Sequence, residues 1–441
     1  MADKSLRAKH AENANQDEEE EYDPAVHRPP GPLTSDFATL MHLLKSALGN
    51  GILFLPNAFK RAGYVMSIIC SIFMGLLCTY TVVLLVRCSQ LLCRRYRIPM
   101  LDFAKTVETS FESGPENIRK YGRHCGIFTN VIVCFVHCQA AVIYILYVSS
   151  SLQQVIEYFT GVELDVRVYI VVVFPFFCGF GFLPNLKYLV PFSLIGSVFI
   201  LVGLCVTLCY LLDDFPDPGR LKPFTRVLPI PLYCTIFMYA MHNVTVCLPL
   251  ENTMKNPRHL PYLITGNMTF IMFLNAIFGF LGYNKYMDAT CDTVIKNLPI
   301  EEKLAQWIKI IISLSVMCSF GLGYYVIVSI LWPMIKSRFE NYNYSEIIFR
   351  FCGVIVLFLV AIAVPEMVPL LGFLTAFSIT TGMLLIPVLT ETMTKWQTAT
   401  KYLLAKNVSI SFIWITLMIF GAIESMQSII REYGHVKEKG C

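Results

Sequence analysis

The chain has 441 residues, of which 55% are apolar and 15% charged, with a formal net charge of +4 at pH 7. A soluble domain carries about 45–50% apolar and about 25% charged residues, so this balance excludes an ordinary water-soluble protein and indicates an integral membrane protein. Lys and Arg lie between apolar runs rather than in one basic patch, which argues against a nucleic-acid partner.

Residues 1–35 are polar and acidic, with the run "NANQDEEEEYDPAVHRPPGP". They contain neither an apolar core nor a small-residue cleavage site, so they do not read as a signal peptide. Such a composition buries too little to offset ordering entropy, and a disordered cytoplasmic tail is expected. Residues 36–430 form the transmembrane region, and 431–441 a short extracytosolic tail.

Length and hydropathy predict about eleven membrane spans in an all-α polytopic protein. They fall near 36–58, 64–87, 124–151, 167–183, 189–212, 226–250, 261–283, 306–335, 347–364, 367–390 and 406–429. The third run continues into the amphipathic "SSSLQQVIEYF". The loop at 87–123 holds Arg87, Arg94, Arg95, Arg97, Lys105, Arg119, Lys120 and Arg123. It is assigned to the cytoplasm by the positive-inside rule, which places the N-terminus inside and, with an odd span count, the C-terminus outside. The sequons at Asn343 and Asn407 then lie in cytoplasmic loops, and those at Asn243 and Asn267 within spans. None is expected to carry a glycan. The 16 Cys are mostly scattered within spans, where they act as small apolar residues, and no metal-type Cys/His spacing occurs.

The first span reads "MHLLKSALGNGILFLPNAFKRAGY" over 41–64. Its middle carries Ser46, Gly49, Asn50 and Gly51, residues poorly suited to a continuous helix. The sixth reads "LYCTIFMYAMHNVTVCLPLENTMKNP" over 232–257, interrupted at His242, Asn243 and Thr245. Leu-Pro follows both breaks (Leu55-Pro56 and Leu248-Pro249). Interrupted spans five apart are the arrangement expected of a 5+5 inverted repeat plus one extra helix, with broken helices 1 and 6 forming the binding site. Gly49 and Gly51 tolerate unwound backbone. Amides freed by unwinding can hold a carboxylate, and freed carbonyls an ammonium, so a zwitterion fits. The candidate substrate residues are Ser46, Gly49, Asn50, Gly51, Tyr239, His242, Asn243 and Thr245. The competing reading is close helix packing through small residues. His42, near the cytoplasmic end of span one, is either a titrating group near neutral pH or an interfacial side chain. His137 and Gln139 in span three face a central cavity or bond a neighbouring helix. Asn275 and Glu424 are lone polar residues in spans seven and eleven.

"HLLKSALGNGILFLPNAFKRAG", "NLKYLVPFSLIG" (185–196) and "LPLENTMKNP" together resemble the proton-coupled amino acid transporter family of the amino acid/auxin permease superfamily. The likeness extends over about 36–430. It implies a LeuT-type fold of eleven spans and import of small neutral amino acids driven by a proton gradient, at the plasma or lysosomal membrane, with no cofactor or metal. His42 matches the family position tied to proton coupling. The hydroxyls Ser315 and Ser319, beside Gly321 and Gly323 in span eight, weakly resemble a LeuT-type ion site. Two departures stand out. Where the family has an acidic residue followed by small residues and Gly, this chain has Met241-His242-Asn243-Val244-Thr245. His242 is then a second titrating group, a marker of altered substrate choice or an uncharged hydrogen-bond partner. Cys291 fits one position of the family's extracellular Cys pair, but span three ends without a partner, leaving a free thiol or another pairing. An enzyme is excluded by the lack of any nucleotide loop, catalytic triad order or soluble domain. The rival functions are an uncoupled amino acid facilitator and an amino acid sensor.

Overall fold

The computed structural model describes residues 22–28, 33–183, 186–213, 216–338 and 344–434. Most of the expected 1–35 tail, Asn185, the Asn343 sequon and most of the 431–441 tail lie outside the described residues. Among the described residues the chain is helical, apart from an isolated parallel bridge between Thr34 and Met254. Among the described residues, ten helices are long and apolar enough to cross a membrane, and Val166–Gly181 is a shorter apolar helix. That helix is the fourth predicted span. Its 16 residues rise only about 24 Å, less than the roughly 30 Å of a hydrocarbon core.

Helix α1 (Asp36–Ala47) starts where the Ser35 side chain accepts from the Ala38 amide, with Asp36 in the first turn complementing the helix dipole. A 3₁₀ turn (Asn50–Phe54) and α2 (Leu55–Ala62) complete the first span. Pro56 sits in the first turn of α2, where its missing N–H leaves no intrahelical bond unmade. Gly63 then turns the chain at φ 90°, a conformation L side chains rarely adopt. The following helices are α3 (Tyr64–Tyr96), α4 (Phe103–Glu112), α5 (Gly122–Thr160), α6 (Val166–Gly181) and α7 (Leu186–Leu212). The predicted amphipathic extension of span three is a continuation of α5, which reaches Thr160. The sixth span divides into α8 (Pro229–Ala240) and α9 (Val244–Thr253). Then come α10 (Leu260–Tyr286), α11 (Lys303–Ile335), α12 (Ser345–Ala363), α13 (Met367–Thr380), a π turn (Thr381–Leu385), α14 (Ile386–Thr394) and α15 (Lys401–Gly434).

The sixth and tenth spans are the most buried, and the ninth and eleventh the least. In the most apolar 18-residue stretch of each span, 67% is buried in 229–253 and 78% in 367–394, against 28% in 345–363 and 17% in 401–431. The remaining apolar faces of α12 and α15 meet lipid, the solvent their composition requires. Around the centre, α11 packs on α5 and α7, α10 on α3, and α13 on α15. Small residues permit the closest approaches: a Cβ on Gly75 would fall 2.4 Å from Met272.

On the side assigned to the cytoplasm, Arg28 donates to the Glu251 and Met254 carbonyls at 2.8 and 3.2 Å. The Thr34 amide donates to Thr253 O, and the Lys255 amide to Thr34 O. Thus the described part of the N-terminal segment is docked on the end of α9. On the opposite side, Lys309 is buried in α11 and donates to Gln154 Oε1 at 2.7 Å and Lys296 O at 3.4 Å. Cys291 is disulfide-bonded, which removes the free-thiol alternative.

Candidate functional site

The two interruptions meet at the middle of the molecule. Helix α1 stops at Leu48, and Gly49 is extended at φ −105°, ψ −173°. Any residue adopts that conformation, so the unwinding does not depend on the backbone freedom anticipated for Gly49. Gly51 answers a different need. A Cβ there would lie 2.6 Å from the Ala240 Cα, so hydrogen alone lets the 3₁₀ turn approach the end of α8. Across the gap, α8 ends at Met241 and α9 begins after Asn243. Ser46 Oγ lies 2.9 Å from Leu43 O and 2.5 Å from Asn243 Oδ1, tying one break to the other. Asn275 donates to the Ala240 carbonyl, giving a partner to one of the acceptors that the end of α8 leaves without an intrahelical bond.

Between the breaks lies a cavity of about 170 Å³. Seven of the proposed substrate residues line it: Ser46, Gly49, Asn50, Gly51, Tyr239, His242 and Thr245. Asn243 does not; it stands behind the lining, bonded to Ser46. His42 is exposed and outside the lining, four residues before Ser46 and therefore one turn away on the same helix face.

The third span contributes more than its sequence suggested. Val136, His137, Ala140 and Tyr144 of α5 line the cavity, joined by Ile379 of α13. Their spacing is one helical stripe, a signal that was available in the sequence. Gln139 takes the other role left open for it. It donates to Thr375 Oγ1 and accepts from Ser378 Oγ, both at 2.5 Å, fastening α5 to α13. The span-eight hydroxyls also serve packing: Ser315 donates to Gly196 O and Ser319 to Ser315 O.

The cavity wall carries no Asp, Glu, Lys or Arg. Its polar groups are nevertheless unusual. Asn50 Nδ2 and His242 Nε2, in the lining, and Asn243 Nδ2, just behind it, are buried without a hydrogen-bond partner among the described residues. Leaving such a group unpaired costs roughly 1–3 kcal/mol, so the two in the lining favour a polar ligand that can pair with them. The first N–H groups of α9 add donors at the same edge. The arrangement suits a small molecule with a carboxylate and an ammonium whose remainder contacts Tyr144, Tyr239, Val136 and Ile379.

Among solved structures, the inward-facing conformation of Mhp1 aligns with a TM-score of 0.56 at 11% identity, covering 92% of this chain and 91% of that one. The MhsT complex with L-phenylalanine aligns with a TM-score of 0.51 at 9% identity, covering 90% of this chain and 100% of that one. Both are LeuT-fold transporters, so the chain has that all-helical membrane fold. By sequence, it is 32% identical to the proton-coupled amino acid transporter-like protein pathetic of Drosophila melanogaster, over 95% of this chain and 90% of that protein. It is 22% identical to amino acid transporter ANT1 of Arabidopsis thaliana, over 73% of each. Residues 34–430 match the family described as transmembrane amino acid transporter protein. This is a family of transporters rather than enzymes, and the chain belongs to it.

Proposed function

We propose that this amino acid transporter carries small neutral amino acids by proton symport, with alternating access to the cavity between the two interrupted spans. The observation that supports this reading is that cavity: uncharged in its lining, yet holding buried polar groups without partners. A zwitterion satisfies them with its own two charges. A substrate with a third charge would find no counter-charge in the wall, and burying an uncompensated charge is costly. MhsT, whose fold this chain shares, was determined in complex with L-phenylalanine, so the fold accommodates an amino acid. The name of the Drosophila relative supports proton coupling. His42 is proposed as a proton-coupling group, exposed one turn along the face that carries Ser46 into the cavity. In this reading the N-terminus is cytoplasmic, and the protein works at the plasma or lysosomal membrane.

One observation favours a second reading, an uncoupled facilitator: the span-six break presents His242 where a carboxylate was anticipated. Uptake of labelled glycine, L-alanine, L-proline and L-phenylalanine into proteoliposomes, with and without an inward proton gradient, separates the two. Gradient-dependent accumulation is expected. Flux that only equilibrates would establish the facilitator. Saturable binding without flux would indicate a sensor.

A further inference from the structure

His137 and His242 come from different helices, α5 and α9's approach, yet both line the one central cavity. Among the described residues, the buried Nε2 of His242 has no hydrogen-bond partner. Gly323 of α11 backs His137: a Cβ there would fall 3.6 Å from its Nδ1, in ordinary contact. Around the pair, α1 contributes Ser46, the 3₁₀ turn Asn50, α8 Tyr239, α5 Tyr144 and α13 Ile379. Apart from the phenols of Tyr144 and Tyr239, the imidazoles are the titratable groups in this wall. Lys45 on α1, Cys138 on α5, and Cys247 and Glu251 on α9 lie outside the lining.

We infer that His137 and His242 form a single proton-binding pair that receives the substrate carboxylate, so that proton and amino acid bind together in the cavity. This deepens the transporter reading above and rests on it. The physical argument has three steps. The cavity wall carries no carboxylate, so an imidazolium there finds no counter-charge in the protein wall. A second proton on the pair is disfavoured further by like-charge repulsion, so the pair titrates as one unit taking one proton. A carboxylate arriving beside the rings reverses the first penalty, and the N⁺–H donates a charge-assisted hydrogen bond to it. Binding then takes up a proton, and affinity rises as pH falls. Replacement of the anticipated acidic residue by His242 acquires a purpose in this scheme. A carboxylate at that point would repel the substrate's own, whereas an imidazole supplies a positive charge only when a proton is present. His42 would then convey protons toward the site rather than hold the coupled one.

The test uses the full chain in lipid nanodiscs and the same four labelled amino acids. For whichever binds, wild-type affinity should rise about tenfold between about pH 7.5 and about pH 5.5, since one linked proton gives at most tenfold per pH unit. Each of His137→Asn and His242→Asn should flatten that rise to less than about twofold, holding affinity near its neutral-pH value. Independently, substrate addition in weak buffer near pH 6.5 should draw about one proton per bound molecule, and His42→Asn should retain this uptake. The proposal is overturned if wild-type affinity does not change with pH. It is equally overturned if proton uptake vanishes in His42→Asn, or persists when both imidazoles are replaced. Should no amino acid bind at any pH, the transporter reading itself fails, a result distinct from pH-independent binding.

Discussion

Gly49 and Gly51 look alike in the sequence and differ in the fold. A Cβ at Gly49 meets nothing within 4 Å, whereas one at Gly51 collides with the backbone of Ala240. Gly49→Ala should therefore lower uptake less than Gly51→Ala does, since its methyl meets open space at the cavity wall rather than packed backbone. Gly51→Ala should lower uptake by more than about tenfold, because it separates the two breaks by a good part of an ångström, and misplacement of that size is enough to cost such factors. Initial uptake rates of the two variants in proteoliposomes check this contrast, and comparable losses in both would contradict it. The sequence marked the pair as a place where a helix unwinds. It carried no sign of which glycine touches α8, since that contact joins residues far apart in the chain. Lys309 offers a second residue-scale case. It is a buried cation in a span, held by two neutral acceptors. Lys309→Ala leaves those acceptors without a donor and should destabilise the protein by about 1–3 kcal/mol. Lys309→Met removes the same donor but keeps most of the side-chain volume, so it should be destabilised by less than Lys309→Ala. Thermal midpoints in detergent distinguish the two, and a Met variant as unstable as the Ala variant would show that the lost donor rather than the lost volume sets the cost.

At the scale of elements, the two interrupted spans behave as one unit. Ser46 on α1 and Asn243 before α9 share a hydrogen bond, and Asn275 of α10 partners the end of α8. Ser46→Ala and Asn243→Ala should each slow uptake, and the double variant should be about as slow as the worse single one, since neighbours sharing one bond are not additive. Losses that simply multiply would mean the residues act separately. The interruptions were legible because Gly, Asn and His stand out in apolar runs and Leu-Pro follows both. The short fourth span was legible too: hydropathy located it near 167–183, and the helix runs Val166–Gly181. Asn275 had no visible role in the sequence, because its partner is a main-chain carbonyl on another helix. The stripe of His137, Ala140 and Tyr144 was written in the spacing, but one polar residue in a span fits a cavity and a helix contact equally well. Gln139, two residues on, took the helix contact.

For the molecule as a whole, orientation and burial make a joint prediction. Asn243, Asn267 and Asn407 are each at most 4% exposed, and Asn407 Nδ2 donates to Thr392 Oγ1 at 2.9 Å. No glycan should attach at these sequons, and treatment with an amidase that removes N-glycans should leave the mobility of the protein unchanged. A shift abolished by Asn407→Gln would reverse the assigned orientation. In the proposed function, transport rests on the cavity between the interrupted spans, where the fold gathers unpaired polar groups in an uncharged wall. The most direct measurement is therefore a density map of the full chain in lipid at a saturating concentration of a transported amino acid. New density is predicted between Gly49–Gly51 and His242–Thr245, with the carboxylate toward the imidazoles and the side chain toward Tyr144 and Tyr239. A saturated protein whose cavity stays empty, with the amino acid resolved elsewhere, would contradict the account.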